Sequence, residues 1–156
     1  MTTVALEQMV MQQVRAWDVL EERVLDTLRR VPRERFVPTA FRAVAYADAA
    51  IPLPHGQHML TPQFIGRILK AIGAAPTETV LDIGTASGYL TACLASSSRH
   101  VHSIEIHEDL AASARARFAA EAIANAEVRT ADVFELSFES HYDIIVLTGS
   151  LPRYDE

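Results

Sequence analysis

Apolar residues recur at helical spacing along the first part of the chain. Leu6, Met9, Val10, Val14 and Trp17 fall on one face, with Gln, Glu and Arg between them, which predicts an amphipathic helix. Val24, Leu25 and Leu28 repeat the pattern. They predict a second helix that ends near Arg30, because Pro32 disfavours helical backbone at Val31. Residues 31–38 carry Pro32 and Pro38 and read as a rigid connector. Periodicity fades over 46–60, where Pro52, Pro54 and Gly56 break any regular element. An ordered loop of that length is often functional. The helical period returns at Thr61-Pro62, an N-cap residue followed by the residue favoured at the first helical position. Ile65, Ile68, Leu69 and Ile72 make the apolar face, and Gly73 is the stop.

Beyond Pro76 strands and helices alternate. The pattern predicts strands over 79–83, 101–105, 126–130 and 143–147, and helices over 89–96 and 109–124, the latter N-capped by Asp109. Val80-Leu81 and Ile144-Ile145-Val146-Leu147 are continuous apolar runs, the mark of parallel strands covered on both faces. The expected architecture is α/β, with about four parallel strands preceded by helices. Residues 1–60 would supply the N-terminal helices and a loop on the substrate side, and 61–156 the ligand-binding core, folded together as one globular unit.

Bulk properties narrow the possible partners. A chain of 156 residues suits one domain. The net charge is -6 with no basic tract, which argues against nucleic acid. No apolar run is long enough for a membrane span. Glu7, Gln8, Gln12 and Gln13 stand where a signal peptide would be apolar. The lone Cys93 excludes an internal disulfide and reads as a small core residue. A cytoplasmic location is expected.

The sharpest chemical signal is Val80-Leu81-Asp82-Ile83-Gly84-Thr85-Ala86-Ser87-Gly88-Tyr89. A strand ends in an acid, a glycine turn follows, and a helix begins. Such a turn lets backbone N–H groups approach a nucleotide-like ligand. Glu105 closes the next strand and is placed to hold ribose hydroxyls. A dinucleotide fingerprint aligned on Gly84 would put its third glycine on Tyr89, too bulky for close helix–strand packing. No Lys follows Gly88, as a Walker A loop requires. The stretch is instead similar to the acid-x-G-x-G-x-G motif of class I S-adenosylmethionine-dependent methyltransferases. Asp82, Gly84 and Gly88 match, and Ala86 replaces the middle glycine. The resemblance implies a Rossmann-like sheet with S-adenosylmethionine as cofactor. Asp82 would organise the turn near the cofactor's amino-acid end, and Gly84, Thr85, Ala86, Ser87 and Gly88 would border it. Glu105, with Ile106, would serve the ribose, and Asp132, with Val133, the adenine.

Earlier blocks sharpen the resemblance. Glu22-Arg23-Val24-Leu25, Val31-Pro32-Arg33-Glu34-Arg35-Phe36-Val37-Pro38, Ala45-Tyr46-Ala47-Asp48-Ala49-Ala50-Ile51-Pro52-Leu53 and His55-Gly56-Gln57 resemble protein-L-isoaspartate O-methyltransferases, with similarity over about 21–149. This implies methyl transfer to the side-chain carboxylate of isoaspartyl residues in peptides or proteins, an ester that lets the backbone recyclise. His55, Gly56, Gln57 and His58 would form the substrate loop. Two departures stand out. The family's Gly-Gln-Thr-Ile-Ser-Gln-Pro becomes Gly56-Gln57-His58-Met59-Leu60-Thr61-Pro62, so the active-site serine falls on Leu60. Thr61 is the candidate catalytic hydroxyl, although the N-cap preference engages its oxygen with the helix. The family also carries further strands and a helix after the fourth strand, whereas this sequence stops at Glu156. The alternatives are an S-adenosylmethionine-binding protein with little isoaspartyl activity, or a methyltransferase for another substrate.

Two other clusters carry ionisable side chains. His100 and His102 share a strand face, with His107 nearby, but a zinc site takes three or four ligands, and no metal is expected. Arg29, Arg30, Arg33 and Arg35 read as a solvated cluster balanced by Glu21, Glu22 and Glu34. The strand 143–147 lacks Lys or Pro to protect an open edge, so a homodimer or larger self-association through that edge is expected, the alternative being that the N-terminal helices fold back over it. Sedimentation equilibrium at micromolar concentration should show the dimer; a strict monomer counts against it.

Overall fold

The computed structural model describes residues 2–137 and 141–150. Helix α1 (Thr2–Gln8) continues through a π-helical stretch, Met9–Val14, and a 3-10 turn, Arg15–Trp17, and stops at Asp18 in left-handed backbone (φ 62°). Met9, Val10 and Val14 are buried as expected, but Trp17 is exposed. A π turn holds more residues than an α turn, so the apolar face drifts and Trp17 leaves it. Helix α2 (Glu22–Arg30) buries Val24, Leu25 and Leu28 and ends where Val31 turns extended before Pro32. The loop 46–60 is more ordered than its sequence suggests. It contains β1 (Ile51–Pro52) and β2 (His58–Met59), paired antiparallel across the turn Pro54–Gly56.

Helix α3 (Pro62–Ile72) has the expected bounds, with Gly73 left-handed at its end (φ 59°). Then follow β3 (Thr79–Ile83), α4 (Tyr89–Ala95), β4 (His100–Glu105), α5 (Glu108–Ala120), β5 (Ala126–Thr130) and β6 (Ile144–Leu147). Two expectations for α5 are corrected. Its N-cap is His107, and Asp109 lies in the first turn. It also ends earlier, because Ala122 adopts left-handed backbone (φ 54°). The N–H of Ile123 then bonds to the Phe118 carbonyl at 2.9 Å, a Schellman closure with alanine where glycine is usual.

The four strands β5-β4-β3-β6 form a parallel sheet in that order. Its order reverses between β3 and β6, which opens a crevice at the strand carboxyl ends. Strand β6 is an edge strand of the described sheet. Val146 is buried, but Ile145 and Leu147 are exposed, so one face of this strand is bare, contrary to the expected two-sided cover. A single apolar cluster joins the N-terminal helices to the sheet, from Met9 to Val146.

The N-terminal segment crosses α3 at Gly66. A Cβ there would stand 2.5 Å from Cγ1 of Val14, which is itself fully buried. The contact explains a glycine inside a helix, where alanine is favoured by about 1 kcal/mol. Gly66→Ala should nevertheless destabilise the chain by about 1–2 kcal/mol, since overpacking typically costs ~1–3 kcal/mol. Urea unfolding checks this: a raised midpoint would contradict the crossing.

Candidate active site

The carboxyl ends of the four sheet strands border a cavity of ≈ 380 Å³, within the usual range for small-ligand sites. One wall is the turn after β3, Gly84 to Ser87. Another is the end of β4 with Glu105, Ile106 and His107, and a third follows β5 with Asp132 and Val133. Gln57, His58, Leu60 and Arg33 close the side formed by the N-terminal region.

The turn after β3 is fixed by close backbone approach. Gly84 has φ 103°, and a Cβ on it would meet the Gly149 backbone nitrogen at 2.6 Å. Gly88 has φ 84°, and a Cβ there would press on Phe118 and Ala114 of α5 at 3.0 and 3.1 Å. Gly88 therefore serves the helix packing that the dinucleotide fingerprint assigns to its last glycine, and it lies off the cavity. Ala86 holds left-handed backbone (φ 50°), which costs roughly 1–2 kcal/mol for an L-residue. Its N–H donates to Glu105 Oε2 at 2.8 Å. The His107 N–H donates to Oε1 of the same carboxylate at 3.1 Å. Glu105 is 6% exposed. A carboxylate has about four lone-pair sites, so two stay open to a ligand. Asp132 lines the cavity while its Oδ1 accepts the Phe134 N–H at 3.0 Å. Ile106 and Phe134 present exposed apolar side chains on the two lips.

Several expected site residues sit elsewhere. Asp82 is fully buried beneath the turn and is not on the cavity. Its Oδ2 accepts the hydroxyls of Thr91 at 2.6 Å and Ser103 at 2.9 Å. The Thr85 hydroxyl is in turn 2.6 Å from that of Ser103. Asp82 thus acts on the cavity only through the turn. Thr85 and Ser87 border the cavity, yet both are buried, and Ser87 Oγ accepts the Tyr89 N–H at 3.3 Å. Burial pushes the Asp82 pKa up to about 6; its hydroxyl donors pull the other way, and the Glu105 charge adds to the rise.

Thr61 is also displaced from its expected roles. It does not line the cavity, and its side chain makes no capping bond to α3. Leu60 lines the cavity instead. His55 and Gly56, in consecutive left-handed conformations (φ 61° and 67°), stand outside it, while Gln57 and His58 reach it. His55 Nε2 lies 2.8 Å from Asp109 Oδ1, and its ring stacks on His107 at 3.9 Å. The bond from His55 holds the Asp109 carboxyl below the usual range.

Arg33 is the residue that sequence reasoning missed. It is 0% exposed rather than solvated. Its Nε donates to the Ala45 carbonyl at 2.9 Å and its Nη2 to the Leu60 carbonyl at 2.7 Å. The guanidinium lies over the Tyr89 ring, 5.2 Å from the centroid. Nη1 has no hydrogen-bond partner, and no carboxylate pairs with Arg33 among the described residues. Desolvation lowers its pKa. The signal available in the sequence was an arginine set among Val31, Phe36 and Val37, all of which are buried.

Comparison with known proteins supplies a family. The family model described as protein-L-isoaspartate(D-aspartate) O-methyltransferase matches residues 5–154. The chain is 35% identical over 148 residues to the protein-L-isoaspartate O-methyltransferase of Koribacter versatilis, covering 94% of this chain and 67% of that protein. It is 38% identical over 148 residues to that of a Synechococcus species, covering 94% of this chain and 60% of that one. The chain thus spans roughly two-thirds of the length of these relatives. Among solved structures it is similar to a Plasmodium falciparum beta-aspartate methyltransferase in complex with S-adenosyl-L-homocysteine. The TM-score is 0.75 at 21% identity, with 92% of this chain and 71% of that one covered. That likeness shows a common fold.

The Asp82 carboxyl has a testable pH signature. Its folded pKa of about 6 lies above the ordinary 3.8. Between those values the folded chain keeps a proton that the unfolded chain releases. The contribution to stability is therefore greatest below pH 4 and is lost as pH rises through 6, by an amount on the order of 2–3 kcal/mol. Asp82→Asn cannot titrate. Urea unfolding at pH 5 and pH 7.5 should show the wild type losing more stability than D82N over that interval. Equal losses would refute the assignment.

Proposed function

This chain belongs to the protein-L-isoaspartate(D-aspartate) O-methyltransferase family, and on that premise we propose that it methylates the side-chain carboxylate of isoaspartyl residues in peptides and proteins. The observation that carries the substrate side of this reading is Arg33: a buried guanidinium on the cavity wall, with an unused donor and no carboxylate partner among the described residues. A guanidinium in that state is complementary to a carboxylate.

The residues present also fit S-adenosylmethionine. The two open lone-pair positions on Glu105 suit ribose hydroxyls. Asp132, whose Oδ2 takes no backbone bond from the described residues, suits the adenine amine, and Ile106, Val133 and Phe134 supply apolar surface for the ring. When bound, the cofactor supplies an activated methyl group on a sulfonium centre. The chain's part is positioning. A carboxylate is ionised at pH 7 and needs no general base, and in-line displacement is governed largely by alignment of the reacting atoms. Arg33 orients the substrate carboxylate and at the same time holds the Leu60 carbonyl. Leu60 then offers a hydrocarbon contact where the family resemblance expects a hydroxyl, so the reaction proceeds without one.

Leu60 also favours a second reading, the same chemistry on a different carboxylate, because an apolar contact changes what the substrate side accepts. No helix among the described residues is long and apolar enough to cross a membrane. A cytoplasmic setting agrees with the buried free thiol of Cys93, whose pKa burial raises to about 12.

Steady-state methylation of an isoaspartyl peptide and calorimetry with S-adenosylhomocysteine test the two halves separately. Arg33→Lys should raise the peptide KM tenfold or more while leaving the calorimetric affinity within about threefold. Glu105→Ala should weaken S-adenosylhomocysteine about tenfold or more, the equivalent of a charge-assisted bond of ~1.5–3 kcal/mol. An unchanged KM in the first variant removes the carboxylate role. Unchanged affinity in the second removes the ribose role. If methylation occurs with other carboxylic acids and not with the isoaspartyl peptide, the second reading replaces the first.

A further inference from the structure

A second cluster of ligating side chains lies away from the cavity. His100 and His102 are two apart on β4 and share a sheet face. His102 stands in register opposite Glu127 of β5. The His102 Nδ1 to Glu127 Oε1 distance is 3.0 Å, and the two imidazole rings meet edge to face at 4.5 Å between centroids. One ligating atom from each of the three residues lies within 4.8 Å of the others. Both histidines are half-buried and Glu127 is exposed, so the group is firmly seated yet open to solvent. Tyr142 flanks it, its ring edge-on to His102 at 5.4 Å. The separation from the cavity is built into the strand: His102 precedes Glu105 by three residues, about 10 Å along β4.

We propose that His100, His102 and Glu127 bind a divalent transition-metal ion, with zinc the best match to the donor set. Two imidazoles and one carboxylate, with water in the fourth position, form a known class of zinc coordination. Calcium and magnesium, which take oxygen donors, do not suit two nitrogens. Bonds of ~2.0–2.1 Å in a tetrahedral site put donor atoms about 3.4 Å apart. The His102–Glu127 pair is already that close, and the remaining gap is within reach of side-chain rotation. The expectation that no metal binds rested on finding only two imidazoles. The parallel register supplies the missing third ligand from the next strand. Strand β5 is at the edge of the described sheet, so a bound ion would fasten that strand to its neighbour β4.

Calorimetric titration of zinc chloride into tag-free, metal-stripped protein at pH 7.5 tests this. The expected result is one ion per chain with a Kd in the micromolar range, no heat with magnesium, and a Tm raised by several degrees under saturating zinc. His102→Ala and Glu127→Gln should each weaken zinc at least tenfold while leaving S-adenosylhomocysteine affinity unchanged. Glu127 is exposed, so its conservative replacement keeps the fold even if His102→Ala does not. A Kd in the millimolar range overturns the proposal, as does micromolar binding that persists undiminished in Glu127→Gln and in the His100→Ala, His102→Ala double variant. The outcome is independent of the methyltransferase reading, because the readout is metal binding alone.

Discussion

The hydrogen bond from the Ala86 N–H to the Glu105 carboxylate holds the cavity in shape. It ties the turn after β3 to the end of β4, and it keeps an alanine in backbone geometry that its Cβ disfavours. The same carboxylate receives the His107 N–H at the start of α5. One nearly buried carboxylate therefore joins three elements at once: the turn, the strand end and the helix entrance. Neutralising backbone dipoles is what makes a buried carboxylate tolerable in an apolar setting. It also leaves that carboxylate preorganised, with two acceptor positions fixed toward the cavity.

Beneath this bond lies a second polar layer, Asp82 with Thr91, Ser103 and Thr85. Its members are drawn from β3, α4, β4 and the connecting turn. The layer fixes the height of the turn above the sheet, and of its members only Thr85 borders the cavity. Asp82 is thus felt at the site as geometry, and Glu105 as charge. The cavity wall around Arg33 follows a different rule. Arg33 is anchored through two backbone carbonyls and an aromatic face, so its charge is held rigidly with no carboxylate paired to it among the described residues. Rigid and unpaired charge inside a protein is costly unless something charged arrives to meet it.

Much of the fold is legible from the sequence where local chemistry decides. Thr61-Pro62 and Gly73 give α3 its bounds. The continuous apolar run at Val80-Leu81 marks β3 as a buried parallel strand. Glycines at 84 and 88 mark a turn that only close backbone approach explains. Legibility fails where tertiary placement decides. The π-helical stretch that turns Trp17 outward leaves no mark in residue spacing. The hairpin of β1 and β2 is too short for a periodic pattern to declare. Arginine on a connector reads as solvated until Val31, Phe36 and Val37 are seen to carry it inward. Asp82 and Glu105 look alike in sequence, each an acid at or near a strand end, yet one faces down into hydroxyls and the other borders the cavity. Thr61 and Leu60 are neighbours, and only the cavity lining separates them. Glu127 gains a meaning beside His102 only through parallel register.

The close approach of Gly84 to Gly149 has a consequence for how the site comes into being. These two residues belong to segments separated by most of the α/β core, and the Gly149 N–H bonds to the Ile83 carbonyl at 3.0 Å. The floor of the cavity is thus completed from the strand that comes last among those described but sits beside the first core strand. Closing so long an intervening stretch carries an entropic cost that local helices and turns do not incur. The glycine turn after β3, however well formed, is therefore half a receptacle until β6 docks. A complete cavity is thus a mark of finished topology: a nascent or locally unravelled chain carries the whole motif and still lacks the backbone contact that Gly149 makes with the turn.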